Sequence, residues 1–544
     1  VLAIFGLVIA AVLKQYPQSI TPVLLQIPLA ILIGVVAHRA GRNIALPSVA
    51  ALVVMYLTVI FGDIPLVHGF NQVLAAQPIA AWVVGLLVYA YIASVIPVWV
   101  LLQPRDYINA LQLLSGLAVL LAGVAVASLI GGAPSGDEVR PPVELVAPVV
   151  DWQPEGAPPL IPVLFITIAC GACSGFHCLV GSGTTSKQIE RETDARPVGY
   201  GSMLTEGFLA TLVIAACAAG IGLGISRSEH HSYNRISISP TEVEGARYII
   251  LGDRNLRFSE TEAKNDSVPE AERRRYAMST TEAWEEDAQV QANSLPITLR
   301  LNDGTISWQS LERASNDPEL ARTDYVVQGR LAFQSQYLSW SAAGGLASTV
   351  GAFVNGSANF IAALGIPLSW ATALMAVMVA SFAATTMDTA CRLQRYVIQE
   401  LAWTFLPRHE RASCRRCAYD LSAHIGDDER EAQREVTCPE CGAAHPAHEV
   451  YHHDRDASYA SASWFNPFKW LSTIHGATLF AVVTAFALAM LPQTWDVFGA
   501  AGPWAWLQST WTNGGRGALI LWPLFGATNQ LLAGFAFLVI GAWL

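Results

Sequence analysis

The stretch Cys170–Tyr200 reads CGACSGFHCLVGSGTTSKQIERETDARPVGY and follows directly on an apolar segment, IPVLFITIA at Ile161–Ala169. The apolar segment is typical of a membrane helix, but four glycines, a histidine and several hydroxyls follow it within 16 residues. A regular helix in lipid gains nothing from glycine, and polar groups exposed to hydrocarbon are costly. Irregular polar backbone survives at membrane depth where it lines a cavity, and transporters hold their cargo at interrupted helices of this kind. The stretch therefore predicts a membrane transporter with a broken helix.

The composition also indicates a membrane protein. The chain has 544 residues, of which 53% are hydrophobic and only 14% are charged, whereas soluble proteins average about 25% charged residues. The net charge of −11 lies mostly in two polar inserts, so it does not indicate a nucleic-acid partner. We expect an all-α membrane protein, a polytopic helical bundle embedded in a lipid bilayer, that carries a small soluble insert and a zinc ribbon.

Apolar segments recur along the chain, and we compare each with the roughly 20 residues that span a bilayer. They are Val1–Leu13, Ile20–Ala37, Leu46–Phe61, Ile79–Leu102, Ala110–Ile130, Ile161–Val180, Ser202–Ile225, Ala342–Ile366, Ser369–Met387 (continuing to Leu406), Trp470–Leu491 and Ala518–Leu544. Their order, with the sides assigned from Lys and Arg in the short loops, predicts membrane helices over 1–225, an extracytoplasmic polar insert over 226–337, a re-entrant segment and a membrane helix over 338–406, a cytoplasmic zinc-ribbon insert over 407–460 and C-terminal membrane helices over 461–544.

Two of these regions carry further local predictions. The outer insert shows strand-like alternation at Ala246–Leu251 and Leu295–Ile306, with Asp303–Gly304 as a hairpin turn. The segment Ala342–Ile366 is rich in Gly, Ser and Asn, and we expect it to form a re-entrant or surface-lying hairpin. Arg105 follows Pro104 between two apolar segments, and the positive-inside rule makes it a cytoplasmic loop anchor first and a gate contact second.

A second chemical signal is a pair of CxxC motifs, Cys414–Cys417 and Cys438–Cys441. Two such motifs about 20 residues apart match a four-thiolate zinc ribbon. With sulfur at all four positions the zinc is expected to be structural. Two disulfides are the alternative, which a reducing cytoplasmic face disfavours. We expect the ribbon to serve in docking a protein partner or in regulation.

Four blocks of the sequence resemble the carbon starvation protein A family, inner-membrane proteins regarded as peptide or pyruvate transporters. The blocks are PVWVLLQPRDY (Pro97–Tyr107), FITIACGACSGFHCLVGSGTTSKQIERETDARPVGYGSMLTEGF (Phe165–Phe208), TTMDTACRLQRYVIQEL (Thr385–Leu401) and LWPLFGATNQLLA (Leu521–Ala533). The outer insert and the zinc ribbon lie outside the family pattern. The family's N-terminal helices are missing, and we expect them to be required for a complete transporter.

The resemblance implies a fold like that of the amino acid–polyamine–cation transporters, with two inverted repeats that each contribute a broken helix. Cys170–Thr185 then resembles the broken helix of the second repeat, and the amides at its half-helix ends would bind the carboxylate of a peptide or keto acid. His177 could relay protons or contact the cargo, with a buried histidine satisfied by backbone as the equal alternative. The expected substrate-binding residues are Gly171, Ser174, Gly175, His177, Ser182, Gly183, Thr184, Thr185 and Asn529.

Coupling and gating residues are expected at two further places. Asp388 lies in an apolar helix, where a carboxylate is costly and usually functional, so a coupling site is favoured over an ion pair with Arg392. Proton coupling through Asp388 and His177 is expected. Sodium coupling through Thr385 and Thr386 is the alternative. The gate candidates are Asp194 and Arg196, which the charge pattern alone would place on a solvated helix face.

The sequence thus predicts a multi-pass inner-membrane symporter that takes up peptides or pyruvate during carbon starvation, as a stress response. The alternative is a membrane-embedded nutrient sensor that signals through the ribbon. An enzyme is not expected, because the membrane segments carry no GxSxG or HExxH motif.

Overall fold

The structure, a computed structural model, describes much of the membrane part of the chain and shorter pieces of the two inserts. The described residues are 1–40, 43–62, 64–133, 140–150, 161, 165, 171, 174–227, 236–243, 246–251, 254–258, 298–301, 304–311, 323–337, 346–406, 410–412, 421, 435–437, 441, 444–446, 451–453, 459, 463, 465–491, 511 and 522–543. Within them the chain is mostly helical.

The described helices are numbered in chain order. They are α1 (Leu2–Gln15), α2 (Ile20–Ala40), α3 (Ala45–Ile60), α4 (Pro65–Ala75), α5 (Ile79–Val95), α6 (Leu102–Ile130), α7 (Gly175–Gly183), α8 (Ala195–Ala218), α9 (Arg330–Gln336), α10 (Leu346–Ala362), α11 (Leu368–Thr404), α12 (Pro467–Leu471), α13 (Ile474–Ala489) and α14 (Trp522–Trp543). Single 3₁₀ turns lie at Pro17–Ser19, Thr185–Lys187, Glu192–Asp194 and Gly220–Leu223.

Five of the described helical segments are long and apolar enough to cross a membrane. They contain α2, α6, α8, α11 and α14. A bent pair, α3 and α4 with 88° between them, would make a sixth span if the pair counts as one. The helices α1, α5 and α13 are apolar but shorter. The chain is therefore a multi-pass membrane protein.

Helix α11 lies at the centre of the bundle and packs against α1, α5, α6, α10 and α13. Its 37 residues make it about 55 Å long, which exceeds the hydrocarbon thickness of about 30 Å. Its buried face consists largely of alanine and methionine. Small side chains let neighbouring backbones approach closely, which is how membrane helices pack in the absence of a hydrophobic driving force between them.

The break between α5 and α6 differs from the prediction of one apolar segment over Ile79–Leu102. Helix α5 ends at Val95, and Ile96 is extended, with ψ at 153°, because a residue that precedes a proline is disfavoured in the helical region. Helix α6 then starts at Leu102, since Pro104 in its first turn needs no intrahelical N–H partner. Arg105 therefore lies inside a helix and is only 1% exposed. The interpretation of Arg105 as a loop anchor was wrong.

The segment predicted as a re-entrant or surface-lying hairpin contains a single helix, α10, which spans 17 residues. It packs against α6, α8 and α11, and residues such as Val354, Ala358 and Phe360 are buried. After it, Gly365 has a positive φ of 87° and leads into α11. The small residues of the described part allow this close helix packing, and the re-entrant path of Ala342–Ile366 stays a prediction.

The region between α8 and α10 contains two sheets. The strands are β1 (Ile225–Arg227), β2 (Ile236–Val243), β3 (Ala246–Leu251), β4 (Arg254–Phe258), β5 (Thr298–Leu301), β6 (Gly304–Leu311) and β7 (Thr323–Val327). One sheet has the order β1-β7-β6-β5 and the other β2-β3-β4. The predicted strand at Ala246–Leu251 coincides with β3. In the predicted hairpin Leu301 pairs with Gly304, so the connection falls at residues 302 and 303, one residue earlier than expected.

Two short antiparallel pairs lie in the region predicted as a ribbon. Strand β8 (Glu410–Ala412) pairs with β11 (Tyr451–His453), and β9 (Glu435–Thr437) pairs with β10 (Ala444–Pro446). The second pair encloses the motif Cys438–Cys441, because Thr437 lies opposite Ala444.

Candidate functional site

The predicted helix break forms one wall of a cavity of about 620 Å³. Helix α7 supplies this wall, the neighbouring turns supply its edge, and α8 and α14 face it. Of the residues predicted to bind substrate, four line the cavity, namely Gly171, Ser174, His177 and Thr185. The facing residues include Ser202, Met203 and Glu206 on α8 and Ala533 and Phe537 on α14. The cavity is therefore an apolar space with a few hydroxyl and titratable groups, which is typical of a small-molecule site.

His177 and Glu206 face each other in this cavity. The His177 Nε2 atom lies 3.9 Å from Glu206 Oε1, and the two side chains are 60% and 59% exposed. Glu206 lies at the middle of α8, which belongs to a segment long and apolar enough to span the membrane. A carboxylate at that depth faces the bundle interior or a water-filled cavity, because exposure to lipid is costly. The pair can contact a polar cargo that enters the cavity.

Asn529 caps the N-terminus of α7 from the opposite helix. Its Oδ1 atom accepts a hydrogen bond from the Phe176 amide at 2.7 Å. Its Nδ2 atom donates to the Ser174 hydroxyl at 3.1 Å. The Ser174 hydroxyl in turn accepts from the His177 amide at 3.4 Å. Two of the first helical amides therefore have side-chain partners, and a cargo carboxylate would reach them by displacing Asn529 or Ser174.

The remaining predicted residues of this stretch serve helix packing. A side chain at Gly175 would overlap the backbone of α14 at Asn529 and Ala533, and one at Gly183 would overlap the Leu393 side chain on α11. Ser182 and Thr184 donate hydrogen bonds of 2.9 Å to carbonyl oxygens of their own helix. Helix α7, which forms the cavity wall, is therefore held between α14 and α11.

Asp388 forms an ion pair inside the bundle. Its partner is Arg105 on α6, and the Asp388 and Arg105 side chains are 0% and 1% exposed. The Tyr89 hydroxyl on α5 donates to Asp388 Oδ2 at 2.7 Å and accepts from Arg105. In the described part of the chain, the carboxylate pairs with Arg105 and not with Arg392, so the alternative pairing that helical spacing suggested is not formed.

Further hydrogen bonds connect this pair to Thr385. Arg105 Nε donates to Gln26 Oε1 on α2 at 3.4 Å. Gln26 donates to Asn109 on α6, and Asn109 donates to the Thr385 hydroxyl on α11. Thr385 lies one helical turn before Asp388 on α11. The hydrogen bonds, together with that turn of α11, therefore connect α2, α6 and α11 in a ring. Such a network is stable only when its members stay satisfied together.

Arg392 holds the end of α5. Its Nη2 atom donates to the carbonyl oxygens of Ala93 and Ile96 at 2.7 and 2.6 Å, and Arg395 donates to Ser94 O at 2.5 Å. Cationic side chains at a helix C-terminus satisfy carbonyls that lack intrahelical donors. Thr386, the other predicted coupling residue, donates to Phe382 O of its own helix at 3.0 Å.

The predicted gate residues lie at the start of α8. Asp194 is half-buried at its N-cap position and Arg196 is exposed in its first turn. Of the predicted zinc ligands, only Cys441 falls among the described residues, and Cys414, Cys417 and Cys438 lie outside them. The described residues contain no group of three or more potential metal ligands.

Sequence reasoning missed Tyr89, Gln26, Asn109 and Glu206 and misplaced Arg105. For Glu206 a signal existed: it is the one acidic residue of α8, and the rule that singled out Asp388 applies to it equally. For Arg105 the signal was its position in the block PVWVLLQPRDY, which resembles the family. Gln26 and Asn109 carried no such signal, because a lone Asn or Gln in an apolar segment can serve many roles.

Comparisons with known proteins match a family model and several curated relatives. The family described as carbon starvation protein CstA matches residues 1–237 and 325–424. That range omits most of the outer insert but includes Cys414 and Cys417. It also includes Arg105, Glu206 and Asp388, and so covers both the cavity wall and the buried ion pair.

Individual relatives are moderately similar over part of the chain. The peptide transporter CstA of Mycobacterium tuberculosis is 35% identical over 222 residues, which are 40% of this chain and 28% of that protein. The peptide transporter CstA of Campylobacter jejuni is 33% identical over 232 residues, 41% of this chain and 31% of that protein. The pyruvate/proton symporter BtsT of Escherichia coli is 32% identical over 225 residues, 40% of this chain and 29% of that protein.

The matched part spans less than a third of the length of each of these relatives. No solved structure matches the chain. The family match, however, covers more than half of the 544 residues. Three of the four resembling sequence blocks lie inside the matched residues, and the chain belongs to the carbon starvation protein CstA family.

Proposed function

We propose that the protein is a secondary active transporter that takes up small carboxylate-bearing nutrients, peptides or pyruvate, by proton symport during carbon starvation. The observation that carries the proposal is the cavity of about 620 Å³ between α7, α8 and α14. Relatives of the chain are named peptide transporter or pyruvate/proton symporter, and these names supply the two cargo classes. Helix α7 serves in this proposal as one half of a broken helix in an inverted-repeat fold.

The chemistry of the cavity suits a small zwitterion or anion. Glu206 would contact the ammonium group of a peptide, and His177 in its protonated form would contact a carboxylate. The hydroxyls of Ser174 and Thr185 and the amide of Asn529 complete the polar side of the proposed cargo site, while Met203 and Phe537 supply apolar contact. Asp194 and Arg196, close to the edge of the cavity, remain the proposed gate.

The buried pair of Asp388 and Arg105 is the proposed coupling element. Protonation of Asp388 would remove the charge that holds Arg105 and would let α6 and α11 separate. Sodium is the weaker alternative, because the hydroxyls of Thr385 and Thr386 already have protein partners. The guanidinium of Arg105 beside the carboxylate also repels a second fixed cation.

The proposal predicts uptake of labelled pyruvate or dipeptide into proteoliposomes, driven by an inward proton gradient. Glu206→Gln keeps the shape of the side chain and removes its charge. We expect it to lower uptake of the cargo with which Glu206 pairs by about tenfold or more, because a contact to a charged group contributes about 1.5–3 kcal/mol. Initial rates with and without the gradient measure the effect.

The matched control is Glu144→Gln, which changes an exposed carboxylate in a loop away from the cavity and should leave uptake unchanged. If the parent protein takes up neither cargo, the proposed transport function is contradicted. Equal losses in the two variants would show that Glu206 does not act through the cavity.

We also propose that Cys414, Cys417, Cys438 and Cys441 bind one structural zinc ion. The pairing of β9 with β10 on either side of the second CxxC motif supports this, because zinc knuckles lie at tight turns between short strands. A region this small buries little apolar surface, so the metal would contribute much of its folding free energy.

Metal analysis of the purified protein tests the zinc proposal. We expect one zinc equivalent per chain, and its loss in Cys438→Ser, since three thiolates hold structural zinc poorly. Cys217→Ser, which changes a free cysteine in α8, should keep the metal. A full zinc equivalent in Cys438→Ser, or oxidised cysteine pairs in the parent, would refute the site.

A further inference from the structure

Helices α6 and α11 face each other along a line of polar residues that extends beyond the ion pair. Arg105 bonds to Asp388, and one turn along Asn109 bonds to Thr385. Two turns further, a side chain at Gly116 would lie 3.2 Å from Met378 Sδ. These contacts define an antiparallel register in which position 105 lies level with 388 and position 116 with 378. The same register places Gln112 level with Ser381.

Gln112 and Ser381 have buried polar side chains. Their side chains are 1% and 0% exposed. Neither Gln112 Nε2, Gln112 Oε1 nor Ser381 Oγ has a partner among the described residues. The second carboxylate oxygen of Asp388, Oδ1, also lacks one there. A buried polar atom without a partner is costly, and nearly all such atoms in folded proteins bond to protein or to internal water.

We propose that the seam formed by Gln112 and Ser381 between α6 and α11 holds internal water that supplies protons to Asp388. A buried water needs two to four polar partners, and the amide and hydroxyl of the seam provide them. The supply of protons rests on the coupling role proposed above for Asp388, whereas the hydration of the seam does not.

The charges around Asp388 favour water over a metal cation. Arg105 and Asp106 on α6, Tyr89 on α5 and Arg392 on α11 itself all interact electrostatically with Asp388. Two of these groups are guanidinium ions, which disfavour a further cation close to the carboxylate. Neutral water can accept a hydrogen bond from Gln112 Nε2 in the seam, and a chain of water molecules can reach Asp388 Oδ1, which lies two helical turns away along α11.

Hydroxyl-radical footprinting of the protein in lipid nanodiscs tests the hydration. Radicals form from water at the site, and Met378, which is 4% exposed and close to the seam, would report them. We expect Met378 to be oxidised in the parent despite its burial, and to lose this labelling in Gln112→Leu and in Ser381→Ala. Met203, which is 55% exposed, is the internal standard. Gln103→Leu, on the exposed side of α6, should keep the labelling.

The same variants test the proton supply. We expect Gln112→Leu to lose the dependence of uptake on the proton gradient, while Gln103→Leu keeps it. An unlabelled Met378 in the parent would overturn the hydrated seam. Loss of labelling with unchanged gradient dependence would overturn the proton supply. If the parent shows no gradient-driven uptake, the proposed function fails, and the footprinting still decides whether the seam holds water.

Discussion

Replacing Arg105 with methionine should destabilise the protein by about 3–5 kcal/mol, because it leaves the Asp388 carboxylate buried without its charged partner. Both side chains are almost fully buried, so a few internal water molecules would not replace the positive charge of the guanidinium. The double variant Arg105→Met with Asp388→Leu removes both charges and should recover most of the loss, since an apolar pair of similar volume is often as stable as a buried ion pair. Thermal unfolding in detergent measures the stability of the parent, the single variant and the double variant.

Arg39→Met is the matched control, because Arg39 is exposed near the end of α2. A single variant at Arg105 as stable as the parent, or a double variant no better than the single one, would contradict the buried pair. Asp388→Asn tests the coupling role. It keeps the shape of the side chain but leaves the Arg105 guanidinium without a charged partner, so we expect a less stable protein whose uptake no longer depends on the proton gradient.

Replacing Gly356 with valine should cost about 3 kcal/mol or more, at the upper end of what overpacking a core costs. A Cβ atom at Gly356 in α10 would overlap the carbonyl group of Ala216 in α8. Backbone atoms cannot move aside as a flexible side chain can. We therefore expect α8 and α10 to separate, and with them the cavity wall that carries Glu206. The yield of folded protein and its unfolding midpoint measure the effect.

The control for this prediction is Gly207→Val on α8. A side chain there would meet nothing within 4 Å, so its packing should not change, and valine removes the conformational freedom of a helical glycine. If the two valine variants were equally stable, the close approach of α8 and α10 would be disproved.

Several features of the protein follow from local sequence. Apolar runs of about 20 residues identify membrane helices regardless of what surrounds them. The glycines and hydroxyls after Cys170 predicted an interruption, and the structure places part of that stretch on the wall of a cavity. Asp388 stood out because a carboxylate in an apolar helix is costly wherever it lies. In each case the reason is carried by residues that are close together in the chain.

The sequence by itself therefore determined the membrane class, the family and two segments of interest, the stretch that contains His177 and the helix that carries Asp388. Only the tertiary structure decided the partners. Arg105 and Asp388 are 283 residues apart, and Ser174 and Asn529 are 355 apart, so no local pattern could pair them. Arg392 was the closer partner for Asp388 along its own helix, yet it caps α5, because the direction of a helical side chain depends on which neighbouring helix offers acceptors. The register of α6 against α11 is set by packing along their whole length, and that register determines which polar groups meet.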